Sequence, residues 1–146
     1  MRRSFAAEAG KDAITVELRV EPDLPRVMVD RLEIEIVLRN LIANALESIR
    51  ESGVTKREIV LEAKSQGRNM VEMSVIDSGP GIPADVRERL FTPFSTSKSH
   101  GMGLGLAISR AIVTAHGGRL WAASTPYGSF HLSLPTVTGD TDDIEH

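Results

Sequence analysis

The sequence predicts an α+β two-layer sandwich, with helices covering one face of a mixed, mostly antiparallel sheet. Three observations lead there. Period-two alternation recurs in several short segments that read as strands. Two longer stretches with helical spacing interrupt them. The strands are joined more often by short polar turns than by helices, which is how an antiparallel-rich sheet gathers its helices on one side. A chain of 146 residues with 41% hydrophobic content suits one domain around one core. Only 4% of residues are aromatic, so that core is expected to be built from Leu, Ile, Val, Ala and Met.

Ile14 to Val20 alternate as Ile-Thr-Val-Glu-Leu-Arg-Val, a strand with one buried face. Pro22 and Pro25 break it, and Val27-Met28-Val29 leaves room for a short strand. Asp30 stands three residues before Glu33, an Asp-x-x-Glu capping box that starts a helix. The helix is expected from Arg31 to about Glu51, because Leu32, Ile36, Val37, Leu41, Ala45 and Ile49 recur at helical spacing and Gly53 stops it. Strands at 59–63 and 71–76 flank Gln66-Gly67-Arg68-Asn69, a hairpin loop, and the second ends at Asp77. After the turn Ser78-Gly79-Pro80-Gly81, Pro83 opens a short helix through Leu90.

From Phe91 to Gly103 the chain is rich in Ser, Thr and Gly without periodicity, a loop long enough to be functional. A third helix, Leu104 to Ala115, closes at Gly117-Gly118, and strands at 119–123 and 130–134 complete the sheet before Pro135. Residues 1–13 read as the remnant of a linker, 14–135 as the domain, and the acidic 136–146 as a disordered tail.

Seventeen basic against twenty acidic side chains give a formal charge of -3, which offers nucleic acid or anionic membrane no broad attraction. No apolar run approaches the roughly 18 residues that a membrane span needs. The start Met1-Arg2-Arg3-Ser4-Phe5-Ala6-Ala7-Glu8 is charged too soon to hold a signal-peptide apolar region. A cytoplasmic domain without direct membrane contact is therefore expected. The absence of Cys excludes disulfides, thiolate metal sites and cysteine nucleophiles.

Three constellations carry chemistry. Asn40 and Asn44 lie four apart on the long helix, on a stripe that also holds Val37, Leu41 and Ser48. They suit either buried amides satisfied by backbone or neutral oxygen ligands for Mg²⁺. Asp77-Ser78-Gly79-Pro80-Gly81 puts a carboxylate at a strand end, followed by glycines that let backbone approach a flat ligand. A carboxylate accepts the amino proton of adenine and rejects the carbonyl of guanine, although the same residues also suit an ordinary turn. Gly101-Met102-Gly103-Leu104-Gly105-Leu106 opens a helix, whose unpaired N–H groups and dipole favour phosphate. Its spacing is neither that of a dinucleotide-binding fingerprint nor that of a P-loop.

In order, Asn40-Leu41-Ile42-Ala43-Asn44-Ala45, Asp77-Ser78-Gly79-Pro80-Gly81, Phe91-Thr92-Pro93-Phe94 and Gly101-Met102-Gly103-Leu104-Gly105-Leu106 resemble the N, G1, F and G2 boxes of sensor histidine kinases. The resemblance covers residues 14 to 135 and implies the Bergerat nucleotide-binding sandwich shared with gyrase and MutL. Asn44-Ala45-Leu46-Glu47-Ser48 and Thr96-Ser97-Lys98 look most like the nitrogen-regulation and oxygen-sensing branch.

The resemblance implies ATP as substrate, ADP as product and Mg²⁺ as cofactor. It makes Asn44 the main Mg²⁺ ligand, Asn40 a helper for metal and phosphates, and Asp77 the adenine acceptor. Gly79, Gly81 and Ile82 would line the adenine pocket, with Ser129 near it in the shortened last box Tyr127-Gly128-Ser129-Phe130. Residues 91–103 would form an ATP lid, with Gly101, Met102, Gly103, Leu104, Gly105 and Leu106 near the phosphates and Lys98 as a further phosphate contact. In the family's ATPases a Glu that activates water stands four residues before the Mg²⁺-binding Asn. Here that position is Asn40, whose amide accepts no proton near neutral pH. Phosphoryl transfer to an imidazole by positioning and charge neutralisation needs no such base.

His100, His116, His131 and His146 are scattered, and none lies in the His-Glu-x-x-Asn/Gln-Pro type of context of a phosphoacceptor. His116 suits a helix C-terminus, His131 an outward strand position and His100 a loop, with no metal site among them. The acceptor is therefore expected on a histidine-bearing dimerisation domain of the same kinase, with a response regulator downstream. The isolated domain is expected to be a monomer and the full-length kinase a homodimer. An ATPase fragment of the same fold, a serine-directed anti-sigma-type kinase and a noncatalytic nucleotide sensor are the alternatives.

Overall fold

The computed structural model describes residues 2–6, 13–87, 89–92 and 104–137. Along the chain run β1 (Arg2–Ala6), β2 (Thr15–Val20), α1 (Arg31–Ser52), β3 (Glu58–Gln66), β4 (Met70–Pro80), α2 (Ala84–Arg87), α3 (Gly105–Ala115), β5 (Arg119–Ala122) and β6 (Tyr127–Pro135). The six strands form one sheet in the order β1-β2-β3-β4-β6-β5. Only β2 and β3 pair in parallel, and α1 is the crossover that a parallel pair requires. The other pairs are antiparallel.

Ile59 on β3, Val75 on β4, Leu120 on β5 and Phe130, Leu132 and Leu134 on β6 face the buried stripe of α1, while Ile14 and Val16 extend the core at β2. α1 lies over β4 and β6 beside α3, and α3 covers β5. The opposite face of the sheet mixes apolar residues such as Val60 and Ile76 with a polar cluster. There Trp121 stacks on His131 at 5.4 Å, and His131 also meets Glu72 Oε2 at 2.9 Å and Ser129 Oγ at 2.6 Å.

α1 begins and ends where local chemistry dictates. The Asp30 carboxylate accepts the Glu33 N–H at 3.1 Å, and Gly53 caps the C-terminus at φ 70°. The other half of the expected capping box is replaced: the Asp30 N–H donates to His116 Nε2 at 3.0 Å, from the end of α3. His116 Nδ1 sits 2.8 Å from the Ile112 carbonyl, which can only accept, so Nδ1 carries the hydrogen and Nε2 is the acceptor.

Several expectations are corrected. Leu32 and Ile36 are 72% and 45% exposed, and Ile34 takes their place in the core. Stepping back from Val37 in helical turns reaches residue 34, whereas 32 and 36 fall on the flank. Residues 2–6, within the segment read as a linker, form the edge strand β1, which Arg-Arg-Ser-Phe-Ala, without apolar alternation, does not announce. Ser78 to Pro80 continue β4 instead of turning, with a bulge between Asp77 and Pro80 in its pairing with β6. The short helix shrinks to α2, where the Pro83 carbonyl accepts the Arg87 N–H at 2.9 Å. Val27 makes an isolated bridge to Thr136 rather than a strand, and Val137 donates to the Arg26 carbonyl, so the expected tail begins later than 136. Residues 138–146 lie outside the described residues.

Leu41→Ala removes a side chain that is 1% exposed at the centre of α1's buried stripe. It is expected to lower stability by about 3 kcal/mol, read as a lower urea midpoint at unchanged slope.

Candidate functional site

One helical stripe organises the site. Asn40, Asn44 and Ser48 recur every four residues on α1, beside the core stripe Val37, Leu41, Ala45 and Ile49. They are held half-buried and in line over about 12 Å. At one end, Asn40 Nδ2 donates to the Gly105 carbonyl at 3.1 Å and to Ser109 Oγ at 3.0 Å on α3. In the middle, Asn44 Nδ2 donates back to the Asn40 carbonyl at 3.2 Å. At the other end, Ser48 abuts the end of β4: a Cβ on Gly79 would collide with Ser48 Oγ.

Asp77 is 5% exposed, and its Oδ1 accepts the Gly79 N–H at 2.8 Å. Gly128 is its neighbour on β6, where any Cβ would run into the carboxylate, so only glycine leaves room for it. Ser78 anchors the segment from the other side. Its hydroxyl donates to the Lys56 carbonyl at 2.6 Å and accepts the Glu58 N–H at 2.9 Å. Gly81 donates to the Pro126 carbonyl at 3.2 Å and lies so close to Thr125 that a side chain would not fit. The Asp77 turn is thus wedged between the end of α1 and the β5–β6 connection.

Ile82 is partly buried against the core, and its carbonyl accepts from Arg87 at 3.3 Å. Phe91 meets Phe130 edge-on at 6.5 Å, with the Arg110 guanidinium 5.2 Å from its ring centre, which ties residue 91 to both β6 and α3. α3 starts at Gly105 after Leu104, whose side chain makes no cap. A helix start presents N–H groups that suit an anion. Leu106, in the first turn, packs against the core.

Of the residues singled out from sequence, Asn40, Asn44, Asp77, Gly79, Gly81, Ile82, Leu104, Gly105 and Leu106 are placed on the described scaffold. Asn40 reaches the start of α3, and the stripe it opens reaches the Asp77 turn. Lys98, Gly101, Met102 and Gly103 lie outside the described residues, as do Pro93 and Phe94 of the expected F box. Ser129 is not brought to Asp77, because strand alternation sends its hydroxyl to His131 on the opposite face. Gly128 stands there instead.

Sequence reasoning missed Ser48 and Gly128 as parts of the site, although the four-residue step from Asn44 and the glycine of the last box were the available signals. Nothing in the pattern marked Ser109. No cluster of three or more His, Cys, Asp or Glu that could hold a metal ion occurs among the described residues.

Gly128→Ala is expected to push the Asp77 carboxylate aside and weaken adenine-nucleotide binding roughly tenfold or more. Ser129→Ala is expected to leave it within about twofold, since that hydroxyl serves the other face. Titration with a fluorescent nucleotide reads both, and the reverse pattern would show that Ser129, not Gly128, borders the ligand.

Comparison with known proteins agrees with this geometry. The family described as histidine kinase-, DNA gyrase B-, and HSP90-like ATPase matches residues 29–138, a span that holds every described site residue. Sensor protein FixL of Bradyrhizobium diazoefficiens is 43% identical over 133 residues, covering 88% of this chain and 26% of that protein. C4-dicarboxylate transport sensor protein DctB of Rhizobium meliloti is 44% identical over 129 residues, covering 88% of this chain and 20% of that protein. The chain thus spans a minor part of either relative. Among solved structures, the nucleotide-free catalytic domain of histidine kinase ThkA matches with a TM-score of 0.69 at 34% identity, over 82% of this chain and 76% of that one. Full-length ShkA in complex with AMPPNP matches with a TM-score of 0.70 at 28% identity, over 84% of this chain and 25% of that one. The chain belongs to the histidine kinase-, DNA gyrase B- and HSP90-like ATPase family, as the ATP-binding catalytic domain of a sensor histidine kinase.

Proposed function

We propose that residues 14–135 bind ATP with Mg²⁺ and deliver the γ-phosphoryl group to a histidine on a separate dimerisation segment of the same kinase, from which a response-regulator aspartate takes it. The observation that carries this reading is the stripe Asn40, Asn44 and Ser48, which runs from the start of α3 to the buried carboxylate of Asp77. A purine acceptor at one end and anion-favouring N–H groups at the other are what a nucleoside triphosphate requires. The relative ShkA, solved with AMPPNP, supports an adenine nucleotide as the ligand of this fold.

Each residue has a task in this reading. Asp77 receives the adenine amino hydrogen, while Gly79, Gly81 and Gly128 let backbone lie close to the base. Asn44 offers its amide oxygen to Mg²⁺, which when bound neutralises phosphate charge and shares its coordination shell with phosphate oxygens. Lys98, Gly101 and Gly103 are further phosphate contacts. The transfer breaks the bond from Pγ to its bridging oxygen, releasing ADP. It forms a bond from phosphorus to an imidazole nitrogen, whose proton is lost. Asn40 stands where a hydrolase would need a carboxylate, so this domain activates no water, and transfer rests on positioning. Dependence on ATP puts the domain on the cytoplasmic side. Dimerisation belongs to the acceptor segment, so the isolated domain is a monomer.

The test mixes the domain with labelled ATP, Mg²⁺ and candidate dimerisation segments. Acid-labile, alkali-stable label is expected on the acceptor, with Asp77→Ala and Asn44→Ala each lowering the rate roughly 10- to 100-fold. Steady hydrolysis without an acceptor would identify an ATPase instead. Nucleotide binding with no transfer to any acceptor would identify a sensor module.

A further inference from the structure

We infer that Ser109 is a positioning residue for the nucleotide site. Through Asn40 it ties the first turn of α3 to the amide stripe of α1, so that the start of α3 and Asn44 stand at one fixed spacing. This deepens the reading above and rests on it, since it matters only if both elements serve one triphosphate.

Ser109 is 0% exposed, on a helix whose neighbouring inward residues, Leu106 and Val113, pack in the core. A hydroxyl shut away from water needs a partner. It has one in Asn40 Nδ2, at 3.0 Å. A carboxamide nitrogen carries two hydrogens, and the second goes to the Gly105 carbonyl at 3.1 Å. Gly105 and Ser109 are one helical turn apart, so Asn40 grips the first turn of α3 at both ends of that turn. Asn40 also packs beside Gly105: a Cβ there would stand 3.5 Å from Asn40 Cγ, in ordinary van der Waals contact. Among the described residues, hydrogen bonds join the two helices through Asn40 at the start of α3 and through the Asp30 to His116 bond at its end, and the first lies at the start of α3, which the reading above gives to the phosphates.

Asn40 therefore serves through its nitrogen, as a strut, and the metal falls to Asn44. This separates two roles that substitution by a carboxylate drives in opposite directions. As a metal ligand, residue 40 would be improved by a charged oxygen, which is harder than an amide. As a strut it would be ruined, because a carboxylate donates nothing and would face the Gly105 carbonyl.

The experiment titrates wild type, Asn40→Asp and Ser109→Ala with Mg²⁺·ATP and, separately, with adenosine, by amide NMR, and follows hydrogen exchange along α3. Both variants are expected to bind Mg²⁺·ATP about tenfold more weakly and adenosine within about twofold of wild type, with faster exchange in the first turn of α3 only. Mg²⁺·ATP affinity unchanged in Ser109→Ala, or raised in Asn40→Asp, overturns the strut while leaving the nucleotide site intact. An equal loss of both ligands in Ser109→Ala shows general loosening and overturns it too. If wild type binds neither ligand, the nucleotide reading fails and the strut with it.

Discussion

Asp77 carries a carboxylate at 5% exposure, and a charge taken that far from water is costly unless donors surround it. Its surroundings are built for that condition. The bulge that interrupts the β4–β6 ladder after Asp77 lets the chain fold back so that the Gly79 N–H reaches Oδ1. Gly128 removes the side chain that would otherwise fill the carboxylate's place, and Ser78 pins the outer side of the strand to the start of β3. A fixed, buried acceptor can discriminate between purines, because a carbonyl brought to the carboxylate would set one acceptor against another.

The rest of the site depends on α1 holding its amides at a set distance from that acceptor. Five buried residues of α1 lock its rotation against the sheet, and the adjacent stripe, one flank round, carries Asn40, Asn44 and Ser48. The same helix is fastened to α3 at both ends of α3, by the Asn40 amide and by His116. Core packing, metal-side amides and the start of α3 are therefore mechanically continuous, from side chains within one helix and one turn of another.

Much of this was legible in the sequence, and the illegible part has a common physical cause. The bounds of α1 followed from Asp30, the apolar period and Gly53, all local signals, while Asp77, Gly79 and Asn44 were singled out as candidates by the resemblance of their boxes. What stayed hidden was set by tertiary partners. Glu33 makes a capping box on paper, yet His116, 86 residues away, takes the Asp30 N–H. Asn40 reads as a metal ligand until Gly105 and Ser109, 65 and 69 residues on, claim its nitrogen. Ser129 and Gly128 exchange roles because strand alternation decides which side chain faces the pocket, and the bulge in the β4–β6 pairing shifts the register nearby. β1 is defined by its backbone bonds to β2, which no five-residue pattern announces.

In the proposed reading, an amide rather than a carboxylate at position 40, together with Asp77 and Asn44, makes a site that would hold a triphosphate without activating water. Everything turns on whether one ligand spans both ends. A crystal structure of the domain with Mg²⁺ and a nonhydrolysable ATP analogue tests this most directly. The expected result is an adenine amino group hydrogen-bonded to the Asp77 carboxylate and Mg²⁺ about 2.1 Å from Asn44 Oδ1. A purine seated away from Asp77, or a metal held without Asn44, would contradict it.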